Sequence, residues 1–221
     1  MSHRPARLAV LLSGRGSNFL ALHAAVGRGE LPAEIVLVLS DVDGAPGLER
    51  ARRLGLPALA VPHLGEPSRQ AHEGKVLEAL ADAGAEWICL AGYMRLLSPD
   101  FVARYRHRIV NVHPSLLPAF PGLDAQGQAL AHGVRVSGCT VHLVDEGLDS
   151  GPIVVQRAVP VGDDDDARTL AGRILDQEHV AYPQAMRRLL TERWEVRGRR
   201  LVFAPQAGAG DGFPPDPRTG A

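Results

Sequence analysis

Apolar residues along the first ninety positions follow two alternating patterns. Short, nearly continuous apolar runs recur at Leu8–Ser13, Ile35–Ser40, Ala58–Val61 and Trp87–Leu90, the first two bounded by Gly, Ser and Asp. Between them lie segments with helical apolar spacing: Asn18–Arg28, an Ala-, Leu- and Arg-rich stretch near 45–54, and Arg69–Ala83. Continuous strands separated by amphipathic helices predict a parallel sheet covered on both faces, with right-handed crossovers. After Ile109–Asn111 the pattern changes. Residues 114–123 hold three prolines and a glycine and read as a rigid loop, with Leu117–Pro118 a candidate cis bond. A short helix follows over Gln126–His132. Gly138–Val144 and Ile153–Val161 then alternate as strands about a Gly147–Gly151 turn. A long helix covers Thr169–Leu190, and a C-terminal hairpin pairs Trp194–Arg197 with Arg200–Phe203 about Gly198. The fold class is α/β: a Rossmann-like, mostly parallel twisted sheet with helices on both faces and a C-terminal hairpin. Residues 1–203 read as a single domain, and 204–221, rich in Gly, Pro and Asp, as a disordered tail.

Bulk composition narrows the partners. A chain of 221 residues is long enough for a sizeable single core. A net charge of −1 gives no footprint for a long nucleic acid or a membrane surface, while leaving room for a small anionic ligand at a local positive site. No apolar run approaches the roughly 20 residues of a membrane span, and Leu8–Leu12 is too short for a signal-peptide core. Cys89 and Cys139 both sit in apolar runs and read as buried, reduced thiols, which suits the cytoplasm. The expected protein is a cytoplasmic monomer or homodimer acting on small molecules, with no nucleic acid and no membrane among its partners.

Ser13-Gly14-Arg15-Gly16-Ser17-Asn18 joins the first strand to the first helix. Its glycines allow a tight turn, and the helix N-terminus offers N–H groups to a phosphate. Ser17 or Asn18 is the expected cap. The loop also resembles a dinucleotide fingerprint, with Asp41 in place of the ribose-binding acid, but Phe19 occupies the position of its third glycine. A single phosphate is the stronger reading, beside an unliganded turn.

The most distinctive segment is Asn111-Val112-His113-Pro114-Ser115-Leu116-Leu117-Pro118. Residues two apart in an extended segment share a face, so Asn111 and His113 project together. They end a strand, where ligands gather in open α/β sheets. An amide beside an imidazole can polarise a carbonyl oxygen and handle a proton. The loop Asp145–Pro152 offers carboxylates to the imidazole, and periodicity does not say which one reaches it. Metal chemistry finds no support: no histidine pair has ligand spacing, no Cys-x-x-Cys exists, and Asp163–Asp166 are explained as a helix cap. His142 faces inward on its strand, either lining the cleft or filling the core.

Taken together, N-V-H-P-S-L-L-P at 111–118, F-P-G at 120–122 and D-E-G-L-D-S-G-P at 145–152 resemble the formyltransferases that use 10-formyltetrahydrofolate. S-G-R-G-S-N at 13–18 and Q-E-H at 177–179 resemble the branch whose acceptor is phosphoribosylglycinamide, an intermediate of purine synthesis. The resemblance covers residues 6–203. It implies 10-formyltetrahydrofolate as co-substrate, no metal, and Asn111, His113 and Asp149 in catalysis. It implies Gly16, Ser17 and Asn18 at the ribonucleotide phosphate and Glu178 at its ribose. It implies Arg69, Met94, Arg95, Leu96, Leu97 and Asp145 at the folate. Glu178 has support of its own, as a carboxylate on the apolar stripe Leu170, Ile174, Ala181, Ala185, Leu189. The segment from Gly92 to Leu97 follows a strand and so falls at its carboxyl end; Arg69 rests on the resemblance alone. The chain departs from the family at Leu123-Asp124-Ala125-Gln126-Gly127, where a histidine element is usual. Relatives that act on a tRNA or hydrolyse the formyl-folate carry a further domain, which the length and a first strand at Leu8 do not lead one to expect.

Overall fold

The computed structural model describes residues 4–204. Among these, nine strands form one sheet in the order β3-β2-β1-β4-β5-β6-β7-β9-β8. The strands are β1 (Ala6–Leu12), β2 (Ala33–Ser40), β3 (Ala58–Ala60), β4 (Trp87–Leu90), β5 (Ile109–His113), β6 (Val136–Leu143), β7 (Ile153–Pro160), β8 (Trp194–Arg197) and β9 (Arg200–Phe203). The helices are α1 (Ser17–Gly27), α2 (Pro46–Arg53), α3 (Arg69–Asp82), α4 (Pro99–Arg104), α5 (Ala125–Ala131) and α6 (Ala167–Thr191). Strands β1 to β5 pair in parallel, β5–β6 and β6–β7 are antiparallel, and β8–β9 form the expected hairpin. The α/β class and its Rossmann-like first half are as the sequence predicts. The tail read at 204–221 lies, apart from Ala204, outside the described residues.

Side-chain alternation in β1 builds both layers of the core. Leu8, Val10 and Leu12 pack with α1, α2 and α6, while Ala9 and Leu11 pack with α3 and α4. All five are fully buried, which is why the strand reads as a continuous apolar run. The centre is tied by Tyr182 of α6, whose hydroxyl donates to the Val110 carbonyl at 2.8 Å, with the Leu90 carbonyl 3.1 Å away. Chain order reverses between β1 and β4, so the loops after these neighbouring strands open a crevice at their carboxyl ends, where open α/β sheets bind ligands.

Helix α4 is absent from the sequence reading. Its signal is present: Ser98 caps Phe101 N through Oγ at 3.2 Å, and Pro99 takes a first-turn position that needs no N–H. With six residues, it is too short to show periodicity. The acidic run behaves as predicted at Asp166, which accepts from Thr169 N at 2.7 Å in a capping box that starts α6.

The loop between β6 and β7 closes on itself at Gly151. A Cβ there would stand 1.8 Å from the Leu143 carbonyl oxygen and 3.2 Å from Asp145 N, which no rotamer relieves. Gly74, inside α3, has nothing within 4 Å of the same position. We therefore expect Gly151→Ala to cost at least about 1–3 kcal/mol and Gly74→Ala to stabilise by about 0.5–1 kcal/mol. Thermal melts should move in opposite directions, by roughly 2–4 °C per kcal/mol for a chain of this size. A Gly151→Ala protein melting with the wild type would contradict the close approach.

Candidate active site

Asn111 and His113 occupy the third and last residues of β5, on the face opposite Val110 and Val112, which join the α6-side core. His113 is 5% exposed. Its Nε2 lies 2.9 Å from the Phe120 carbonyl oxygen, and its Nδ1 lies 3.4 Å from Asp149 Oδ2. Each ring nitrogen thus faces an oxygen that can only accept a hydrogen bond. Asp149 Oδ2 also accepts from Gly122 N at 2.8 Å. The Phe120-Pro121-Gly122 turn therefore holds the histidine through a carbonyl and the carboxylate through an N–H. Phe120, Gly122 and Asp149 all have positive φ, of 54°, 80° and 49°. Left-handed backbone at two non-glycine residues costs energy that the surrounding contacts must offset, a pattern found where sites need fixed geometry.

Asp149 is the acid that reaches the imidazole. Asp145 is occupied within its own turn, where Oδ1 accepts from Gly147 N at 3.1 Å and from Ser150 Oγ at 2.6 Å. A second histidine shares Asp149: His142 Nε2 is 3.8 Å from its Oδ1. His142 lies directly opposite Asn111 in the β5–β6 register, is 2% exposed, and so belongs to the cluster rather than to the distant core. Burial pushes its imidazole below the ordinary value, outweighing the opposing Leu143 carbonyl and Asp149 carboxylate.

The first loop differs from its expected cap. Gly16, at φ 71°, takes the cap position of α1, and no side chain caps the helix; Ser17 and Asn18 are its first two residues. A Cβ on Gly16 would meet Gly47 Cα at 3.0 Å, so the turn needs glycine for both its φ and its space. Asn18 instead points into the molecule, and its Nδ2 donates to Glu178 Oε2 at 2.6 Å. Both residues are 7% exposed, and Asn18 Oδ1 is buried without a hydrogen-bond partner. Burial holds the Glu178 carboxyl above the usual carboxylate range, against the Asn18 N–H. Asp41, the acid of the dinucleotide reading, is already engaged: Ser13 Oγ donates to it at 2.5 Å and the ring of His63 lies 3.4 Å away.

The segment after β4 is stitched at both ends. Ser13 Oγ accepts from Met94 N at 2.9 Å, and Glu73 of α3 accepts from Ser98 N at 2.8 Å and from the Ser98 hydroxyl. Glu73 also accepts from Arg69 Nε at 3.0 Å, which brings Arg69 to this segment. Sequence reasoning missed Glu73, because an acid four residues after an arginine is also an ordinary surface pair. Met94 and Leu96 are largely exposed, as are Leu123 and Leu148 on the two loops nearer His113. The departure at Leu123–Gly127 has a local explanation. Asp124 caps α5 by accepting from Gly127 N at 3.2 Å, and Gln128 donates to the Leu123 and Pro121 carbonyls.

Fold and site together define a Rossmann-like α/β protein with an amide, two imidazoles and one carboxylate gathered at a strand end. The chain belongs to the formyl transferase family, which it matches over residues 6–186. It is 50% identical over 182 residues to the trifunctional purine biosynthetic protein adenosine-3 of Drosophila pseudoobscura pseudoobscura, covering 81% of this chain and 13% of that protein. The chain thus spans about an eighth of that longer relative. It is 41% identical to the phosphoribosylglycinamide formyltransferase of Bacillus subtilis (strain 168), over 83% of this chain and 94% of that protein. The crystal structure of glycinamide ribonucleotide transformylase 1 from Symbiobacterium toebii superposes with a TM-score of 0.90 at 46% identity, covering 92% and 96% of the two chains. No described helix is long and apolar enough to cross a membrane, and no described group of three or more His, Cys, Asp or Glu could hold a metal ion.

The burial of Glu178 carries a measurable sign. A carboxyl whose folded pKa exceeds its unfolded value stabilises the fold below the unfolded value and loses that contribution as pH rises through the folded one. At neutral pH the charge is therefore a burden. Glu178→Gln removes it and supplies an N–H for the orphaned Asn18 Oδ1. Its melting temperature should exceed the wild type's at pH 7, with the gap narrowing towards about pH 4 as the carboxyl protonates. A variant less stable than the wild type at pH 7 would contradict this assignment.

Proposed function

We propose that this protein transfers the formyl group of 10-formyltetrahydrofolate to the amine of phosphoribosylglycinamide, a step of purine synthesis. The observation that carries the reading is the convergence of Asn111, His113 and Asp149 at the end of β5, with His113 held between two acceptor oxygens. Family membership and the names of its full-length relatives support the substrates.

No serine or cysteine adjoins a base in this cluster, so the substrate amine is itself the nucleophile. It attacks the formyl carbon, and the carbonyl oxygen gains negative charge as a tetrahedral centre forms. Protonated His113 and the Asn111 amide stabilise that oxygen, worth roughly 3–4 kcal/mol for a well-placed donor. Asp149 holds the ring oriented and charged. The bond from carbon to the folate nitrogen then breaks, while a proton passes from the amine to that nitrogen through Asp149 and water.

The substrate ends fall to other loops. The N–H groups of α1 beside Gly16, Ser17 and Asn18 receive the ribonucleotide phosphate, and Glu178 bonds the ribose. Arg69 and the segment Met94, Arg95, Leu96, Leu97 bind the folate together with the Asp145–Asp149 loop, whose Asp145 sets the turn. The folate is a co-substrate that leaves after each turnover. The described fold and the pathway suit a cytoplasmic enzyme acting on small molecules, as a monomer or homodimer.

Formyl-folate consumption should require phosphoribosylglycinamide; consumption at the same rate without it would identify a hydrolase. Inorganic phosphate should raise the KM for the ribonucleotide and leave that for the folate nearly unchanged. Equal effects on both would overturn the phosphate assignment at Gly16–Asn18.

A further inference from the structure

We propose that His142 is a positioning residue that fixes which way round the Asn111 side-chain amide stands, and so aims an N–H of Asn111 at the reacting oxygen. The inference rests on the formyl-transfer reading above for the purpose of that N–H, but not for the hydrogen bonds that set it.

The tautomer of His142 is determined by its neighbours. Its Nδ1 lies 3.0 Å from the Leu143 carbonyl oxygen, an atom that only accepts, so Nδ1 carries the hydrogen. The ring is 2% exposed, and burial favours its neutral form. A neutral ring with hydrogen on Nδ1 leaves a lone pair on Nε2. That nitrogen lies 3.2 Å from the Asn111 side chain. An acceptor there demands a donor, so the amide turns its Nδ2 towards His142 and its Oδ1 away. One N–H of Asn111 is used, and the other is left for a ligand.

The backbone enforces the pairing. Asn111 and His142 are direct partners in the antiparallel register, and the β6–β7 ladder shifts between Val141 and His142. Such irregularities re-aim a side chain near a site. The same carboxylate faces both imidazoles, yet the hydrogen bonds divide their work. His113 faces an acceptor oxygen at each nitrogen, whereas His142 has an acceptor at Nδ1 and the Asn111 amide at 3.2 Å from Nε2, with Asp149 Oδ1 farther off at 3.8 Å. The mechanism needs a donor in the first place and a fixed, uncharged acceptor in the second. Without the lone pair on Nε2, the amide is free to flip and present Oδ1 to the developing oxyanion, which repels it.

Two variants and one measurement on the wild type test this. His142→Gln keeps an acceptor oxygen, while His142→Leu fills the space without one. His142→Leu should lower kcat by about 10²–10³-fold, the loss expected for an oxyanion donor, with the KM of both substrates little changed. His142→Gln should recover most of that kcat. Wild-type kcat in His142→Leu, or equal losses in both variants, would overturn the proposal. Nitrogen-15 spectra of the unmutated protein decide the tautomer even where a variant does not fold. They should show neutral His142 protonated on Nδ1 at pH 7; protonation on Nε2 would overturn the proposal. A wild type that transfers no formyl group but shows the Nδ1 tautomer would remove the reading of the reaction and leave the amide orientation standing.

Discussion

One carboxylate standing between two imidazoles sets the chemistry of this site. Asp149 lies 3.4 Å from His113 and 3.8 Å from His142, so its position alone does not assign it to one ring. Hydrogen bonds settle the competition. The Phe120 carbonyl gives His113 a second acceptor, and the Asn111 amide gives His142 a donor. An ion pair alone would not discriminate between the two rings; the fixed dipoles around them do. The Phe120-Pro121-Gly122 turn matters for the same reason, since it contacts both members of the His113–Asp149 pair through its backbone.

The sheet makes that arrangement possible by bringing together segments far apart in the chain. Antiparallel pairing of β5 with β6 sets Asn111 opposite His142, and the β6–β7 loop folds back so that Asp149 reaches both. Elsewhere, Asn18 of α1 meets Glu178 of α6 across 160 residues. That contact leaves an unpartnered amide oxygen and a carboxyl pushed above its ordinary range, so the pair costs stability rather than adding to it.

Much of this was legible in the sequence, for identifiable reasons. The parallel half of the sheet followed from continuous apolar runs, because its strands are covered on both faces. Asn111 and His113 were legible as a pair because a strand has a period of two. Asp149 was not separable from Asp145 and Glu146 by any period, since loops have none, and the family resemblance alone chose it. Gly16 rather than Ser17 or Asn18 caps α1, because the left-handed turn there suits glycine and Asn18 is drawn inward to Glu178. The partners of His142 depend on cross-strand register, which only the assembled sheet defines.

The central claim is that His113 and Asp149 act as one unit, and a double-mutant cycle measures it most directly. Turnover would be determined for His113→Ala, Asp149→Asn and the double variant, with melting temperatures confirming that each folds. Each single variant should lose about 10²–10⁴-fold in kcat, the range for a general acid–base group, and the double variant should be only slightly worse than either. Losses that multiply, or an Asp149→Asn protein with nearly full turnover, would contradict the claim and would place another group in charge of the histidine.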